Sequence, residues 1–282
     1  MKNISKIILI VAGLLAFASC DKIDEDKYTI FAGVAGDWYT TDADIPHVQR
    51  AFIEKYTGVR CIFCPKADDI IHDACNKYGD SVVVVAVHSR STGFGRPLGN
   101  DPSLCTESGD EWFDYFGIDG QPAAMINRSR NNNAWDIFDP TSNFDDRINT
   151  VVNSKPNIAI SIQCGNDKDS FYFFDINLEL LENISDELTL TVLLTEDKIY
   201  TRQSKFGEGE VENYEQNHVL RTTITNLWGV DVPDGLIKGD KRMVRFYYLL
   251  PDNFNAADVH AVAFVSYKGS RQIINCAQSN LQ

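Results

Sequence analysis

Basic residues are scarce in this chain. Lysine and arginine number 26 against 40 aspartates and glutamates, a formal net charge of -14. Phosphate binding needs clustered cations, and no basic stripe interrupts the acid, so a nucleic-acid partner is excluded. Apolar runs that would span a bilayer are missing too. The longest, IILIVAGLLAFA, has twelve residues, whereas a spanning helix needs about 20. No strong internal repeat is present. A second CxxC is also lacking, which bears on the one at Cys61–Ile62–Phe63–Cys64. A structural zinc site takes four ligands, usually from a second CxxC or a nearby Cys/His pair. The nearest candidates beyond Cys64 are His72 and Cys75, and His72 lies two helical turns on. Neither a metal nor an organic cofactor is therefore expected.

What is present begins with a leader. MKNISK, the apolar run and SC have the layout of a signal peptide. Cys20 resembles the lipid-acceptor cysteine of bacterial lipoproteins, with Phe17 where that motif usually carries Leu. Lipidation at Cys20 would anchor the chain to a membrane without a spanning helix. The polar, acidic DKIDEDK that follows suits a tether. Residues 1–20 are thus expected to be a lipoprotein signal peptide and 21–45 a tether with an N-terminal extension. The expected location is the outer membrane, on its periplasmic or cell-surface side.

Export leaves six further cysteines in an oxidising compartment: Cys61, Cys64, Cys75, Cys105, Cys164 and Cys276. An even set permits disulfides, and six cysteines allow fifteen complete pairings. Cys75 with Cys105, and Cys164 with Cys276, are the structural candidates. The second pair would tie the ends of a domain together, stabilising it by roughly 2–4 kcal/mol. Both pairings would leave Cys61 and Cys64 for each other.

The pattern along the chain changes once. VQRAFIEKY reads as a covered strand, and from Pro65 the apolar positions Ala67, Ile70, Ile71, Ala74 and Tyr78 follow helical spacing up to Gly79. SVVVVAVH reads as a parallel strand buried on both faces. A Gly- and Pro-rich loop, a helix around Trp112, Phe113 and Phe116, a strand at QPAAMIN and a helix at NFDDRINTVVNS complete an α/β domain over 46–155. From Pro156 onward seven runs show partial two-residue periodicity: IAISIQC, FYFFDINLEL, LTLTVLLTED, HVLRTTIT, KRMVRFYYLL, VHAVAFVSYK and RQIINCAQ. They predict an all-β immunoglobulin-like sandwich over 156–282.

The position of the CxxC favours redox chemistry. A thiolate at a helix N-terminus meets unpaired N–H groups and the positive end of the helix dipole, so its pKa falls. Cys61 is the expected exposed nucleophile and Cys64 the resolving thiol. The competing reading is an inert disulfide that closes a small loop. In the second half, His218 has no catalytic company and is read as structural, and Trp228 as core. Arg90 and Arg96 could meet an acidic partner.

Residues 50–127 resemble a thioredoxin-like domain: strand, CxxCP, helix, buried strand, then Gly120–Gln121–Pro122 leading into a strand. The resemblance implies a cis bond before Pro122 and a place for that residue in a polypeptide-binding groove beside the dithiol. It also implies a buried acid in the preceding strand. Glu54 is the nearest counterpart, with one extra residue before Cys61, and would relay a proton for Cys64. The inner dipeptide Ile62–Phe63 departs from the Gly–Pro and Pro–His of enzymatic relatives, which leaves the redox poise unassigned.

IEKYTGVRCIFCP, GQPAAMINR, NHVLRTTITNLWG and the later AVAFV are similar to the 28-kDa outer-membrane-protein family of Bacteroidetes lipoproteins. That resemblance implies a thioredoxin-like domain followed by a β-sandwich at the outer membrane. The functional expectation is thiol–disulfide exchange with exported polypeptides. The alternative is a non-catalytic lipoprotein that binds a surface protein partner.

Overall fold

The computed structural model describes residues 37–168 and 171–281; the leader and Cys20 lie outside the described residues. The α/β half is built from β1 (Ala51–Thr57), α1 (Cys64–Tyr78), β2 (Val82–His88), α2 (Glu107–Phe116), β3 (Ala123–Ile126) and α3 (Phe144–Val152). Pro65 falls in the first turn of α1, where its missing N–H costs no helical bond, and Gly79 caps the other end. Thr106 accepts a hydrogen bond from the Gly109 amide to start α2, and Gly117 ends it in a left-handed conformation.

Strict alternation along β1 sorts its side chains onto two faces. Ala51 and Ile53 pack with Ile71 and Ala74 of α1. Phe52 and Tyr56 pack with Trp112, Phe113 and Phe116 of α2. β1 pairs parallel with β2 and antiparallel with β3.

The β half follows: β4 (Ile158–Lys168), β5 (Phe171–Leu180), β6 (Leu188–Glu196), β7 (Ile199–Lys205), β8 (Gly209–Gln216), β9 (Val219–Thr223), β10 (Lys241–Leu249), β11 (Val259–Tyr267) and β12 (Ile273–Asn280). Seven of these nine correspond to the apolar runs of the sequence. β7 and β8 do not. They form a separate two-stranded hairpin whose strands, IYTRQSK and GEVENYEQ, carry no apolar face.

The two halves share one sheet. Its strand order is β12–β11–β6–β9–β2–β1–β3, with the short strand Val230–Asp231 added on β6. The seam is the parallel pairing of Val219 with Ala86, reinforced by the Ala86 amide donating to the His218 carbonyl at 2.7 Å. A second sheet, in the order Tyr39–Thr40, β10, β5, β4, packs across the sandwich core. Ile160, Phe174, Ile176, Val192, Phe246 and Ala263 fill that core. On the opposite face of the large sheet, Leu193, Leu220, Val262 and Phe264 join Phe52 and Trp112. The fold is a thioredoxin-like α/β domain followed by a β-sandwich, sewn together through their strands.

Candidate functional site: a covered disulfide at a helix start

The six residues between β1 and α1 turn the chain into the helix. The Cys61 amide donates to the Gly58 carbonyl at 2.9 Å, and the Cys64 amide to the Cys61 carbonyl at 3.3 Å. These turns bring the two cysteines together as a disulfide with Cα atoms 5.4 Å apart. Cys64 is the first residue of α1 and Phe63 its N-cap, with no side-chain cap. The free N–H groups of that first turn are what a thiolate would meet.

Exposure runs opposite to the expectation. Cys61 is 3% exposed and Cys64 1%, whereas the residues between them, Ile62 and Phe63, are 42% and 52% exposed. The cover comes from the β7–β8 hairpin of the second half. The Ser204 amide donates to the Val59 carbonyl at 2.8 Å, and the Phe206 amide to the Ile62 carbonyl at 3.0 Å. The Gln203 amide side chain donates to the carbonyls of Gly58 (3.3 Å) and Cys61 (3.1 Å). Phe206 stacks on Phe63 with centroids 5.2 Å apart. Cys61 is therefore not an exposed nucleophile in this conformation.

The peptide bond between Gln121 and Pro122 is cis. Pro122 lines a cleft of about 550 Å³ together with Phe63, Lys66, Gln121 and Phe138. Gln121 is fixed from both sides, its side-chain amide donating to the Thr57 carbonyl at 2.8 Å and its oxygen 3.3 Å from the Thr92 hydroxyl. The cleft therefore opens directly beside the CxxC dipeptide.

Glu54 does not serve this site. Alternation turns it to the α2 face of the sheet, away from α1, where it is fully buried. Both carboxylate oxygens are taken by Arg128, at 2.7 and 3.0 Å. A carboxylate held so by a buried guanidinium is a structural ion pair and cannot relay protons for Cys64. The charged β1 residue on the α1 face is Lys55, buried and bonded at 2.5 Å to Asp68 in the second turn of that helix. The hairpin reaches the same carboxylate, with the Tyr214 hydroxyl 2.9 Å from its other oxygen.

The two expected structural disulfides are absent. Cys75, Cys105, Cys164 and Cys276 are all free thiols. Cys75 sits eleven residues along α1 from Cys64, about 16 Å of helical rise. Cys105 is bridged to His88 at the opposite, C-terminal end of β2 and hydrogen-bonds the Gly95 carbonyl at 3.1 Å. Cys164 packs against the sandwich core, but Cys276 points through the large sheet to the α2 side. Burial holds all four thiols protonated, raising Cys75 and Cys164 to about 11 and Cys276 to about 12, and raising Cys105 as well. Among the described cysteines, Cys61 and Cys64 alone are joined.

The remaining sequence candidates are structural. Arg90 is bound to Asp110, its Nε donating at 2.6 Å. The His218 amide donates to Asp197 at 2.6 Å, and Trp228 flanks the Arg128 guanidinium at 5.9 Å.

Comparison with known proteins agrees with this architecture. The family model for the outer membrane protein Omp28 matches residues 110–282, a span that begins after the cysteine pair. No curated protein matches the chain. Among solved structures, HBP35 of Porphyromonas gingivalis superposes with a TM-score of 0.65 at 16% identity, over 84% of this chain and 77% of its own. A domain of the outer membrane lipoprotein Omp28 from the same organism aligns with 45% of this chain and 89% of its own, at 20% identity and a TM-score of 0.34.

Proposed function

Since the chain belongs to the Omp28 family of outer-membrane proteins, we propose that it is a lipoprotein anchored there through Cys20 that exchanges disulfides with exported polypeptides. Residues 46–155 would form the exchange unit and 156–282 the sandwich that carries it. The observation that supports this reading is the disulfide at the start of α1 beside the Pro122 cleft. In the reduced protein the Cys61 thiolate attacks one sulfur of a partner disulfide, and the partner's other sulfur leaves as a thiolate. Cys64 then attacks Cys61 in the mixed disulfide. The partner's second thiolate leaves, the Cys61–Cys64 bond closes, and two electrons have passed to the partner. The reverse sequence oxidises a dithiol partner. The dipole of α1 stabilises the thiolate in either direction, and Pro122 lines the cleft in which the extended partner lies.

A Cys64→Ser variant tests the proposal, because it lacks the resolving thiol. It is expected to accumulate a mixed disulfide through Cys61 with an unfolded, disulfide-bearing polypeptide. A second reading is favoured by the burial of both cysteines: the disulfide is a staple and the protein binds its partner without chemistry. Absence of any trapped adduct, with Cys61 alkylatable in the same sample, would select the staple.

A further inference from the structure

The β7–β8 hairpin meets the α/β half through Arg202, Gln203, Ser204, Phe206 and Tyr214, most of them around the cysteine pair, while Ile199 at its base packs against Val59, Leu98 and Leu104. Arg202 is bidentate to Asp101 of the loop beyond β2, with its Nε at 3.2 Å and a terminal nitrogen at 3.1 Å. Gln203, Ser204 and Phe206 bind the segment Gly58–Ile62 as described, and Tyr214 reaches Asp68 on α1. The free edge of β7 thus pairs with the CxxC turn as a strand would, while its other edge pairs with β8. Yet the hairpin has almost no core of its own. Its tip, Phe206, is 67% exposed and stacks on the half-exposed Phe63. Among the described residues, four of the nine large exposed apolar side chains, Ile62, Phe63, Phe94 and Phe206, gather at this junction. Beyond Ile199, which packs at its base, this two-stranded ribbon is held by polar contacts and an aromatic stack, which places its outer part at the low-stability end of local opening.

We propose that this hairpin is a redox-coupled lid: docked, it withholds the Cys61–Cys64 disulfide from thiols, and its docking depends on that disulfide. Two of the hairpin's acceptors, the carbonyl of Cys61 for Gln203 and that of Ile62 for Phe206, lie inside the ring closed by the S–S bond. Breaking the bond frees that ring to change its backbone conformation, so the hairpin loses its fitted acceptors. Coupling of this kind is reciprocal. If reduction loosens the hairpin, loosening the hairpin favours reduction by the same free energy, and an uncovered disulfide also meets thiols more often. An undocked hairpin uncovers Cys61 and leaves Phe63 free for an apolar side chain of the incoming polypeptide. The partner would be an extended segment with an aromatic or large aliphatic residue near its cysteine, able to replace Phe206 on Phe63.

The test uses the oxidised chain and dithiothreitol. One reagent thiolate attacks a protein sulfur, the other protein sulfur leaves, and the second reagent thiol closes the reagent's own disulfide, leaving Cys61 and Cys64 as thiols. Phe206→Ala is expected to raise the rate of this reduction about three- to tenfold, the range set by an aromatic pair. Phe206→Tyr, which keeps the stack, should leave it near the parent value. Because Phe206 is mostly exposed, neither variant empties a core. Hydrogen exchange provides the reciprocal reading: the Ser204 and Phe206 amides should exchange at least about tenfold faster in the reduced protein. A reduction rate unmoved by Phe206→Ala, or hairpin amides equally protected in both redox states, would overturn the lid. Dithiothreitol needs no protein partner, so a working lid on a protein that forms no mixed disulfides would sink only the exchange function proposed above.

Discussion

The side-chain amide of Gln203 donates to the main-chain carbonyl of Cys61 at 3.1 Å, so a residue of the β half holds the turn of the α/β half that carries the disulfide. The sandwich half and the cysteine pair are thereby tied into one unit.

The buried pair of Glu54 and Arg128 should dominate stability at the junction. The guanidinium lies 4.8 Å from the Trp112 ring, 4.9 Å from Phe116 and 5.0 Å from Phe264. Arg128→Met strands a buried carboxylate and is expected to cost about 3–5 kcal/mol in urea unfolding. Adding Glu54→Gln to Arg128→Met should restore a large part of the loss. A proton-relay role for Glu54 would instead show as a shifted pH profile of thiol reactivity in Glu54→Gln, which this geometry does not allow.

Acid should weaken the seam between the halves. His88 ends β2, and neither of its ring nitrogens meets a hydrogen-bond partner. Burial, with the Lys55 cation nearby, pushes its pKa down to about 3, and burial pushes His218 down to about 4. Both folded values lie below the unfolded value near 6.5, so the unfolded chain binds more protons between them. Stability is therefore complete above about pH 6.5 and falls as pH drops toward 4, by at most about 1.4 kcal/mol per pH unit for each histidine. His260 opposes this, since its hydrogen bond to Asp197 raises its pKa and favours the folded state in acid. Two lowered histidines against one raised give a net loss. Urea midpoints from pH 7.5 to 4.5 should fall, and His88→Phe should flatten the curve; a midpoint constant over that range would contradict the assignment.

Cysteine mapping should find one disulfide. After denaturation without reductant, Cys75, Cys105, Cys164 and Cys276 are expected to alkylate fully, with Cys61 and Cys64 linked to each other. A Cys75–Cys105 or Cys164–Cys276 peptide would show that the sheet faces described above are misassigned.

Most of the architecture was legible because its elements bury apolar faces. The run of valines at 82–87, the helical spacing after Pro65 and the seven β runs after Pro156 each carry their period in the sequence. Glu54 was misread because sequence proximity to Cys61 does not tell which sheet face a residue occupies; one step of alternation puts Lys55, not Glu54, toward α1. The Cys164–Cys276 pairing failed for the same reason, since the two lie on different faces of the sandwich sheets, whereas Cys75 and Cys105 sit at opposite ends of the α/β layer. The hairpin was invisible because IYTRQSK and GEVENYEQ are polar on both faces and bury little. Its role comes from backbone donors at Ser204 and Phe206, which leave no mark in side-chain pattern. Outside the cysteine pair and Pro122, the residues of the family motifs make structural contacts. Glu54, Arg128, Trp228 and Phe264, drawn from four separate stretches, meet around one guanidinium, and His218 and Val219 make the seam.

The most direct test of the exchange function is equilibration of the purified chain against reduced and oxidised glutathione, followed by the redox state of Cys61 and Cys64. A working exchange site should titrate at a reduction potential above about -300 mV, with a Cys61 thiol of depressed pKa once reduced. A potential below that value, together with a Cys61 thiol of ordinary pKa in the Phe206→Ala protein, would contradict the account and leave the disulfide as a staple.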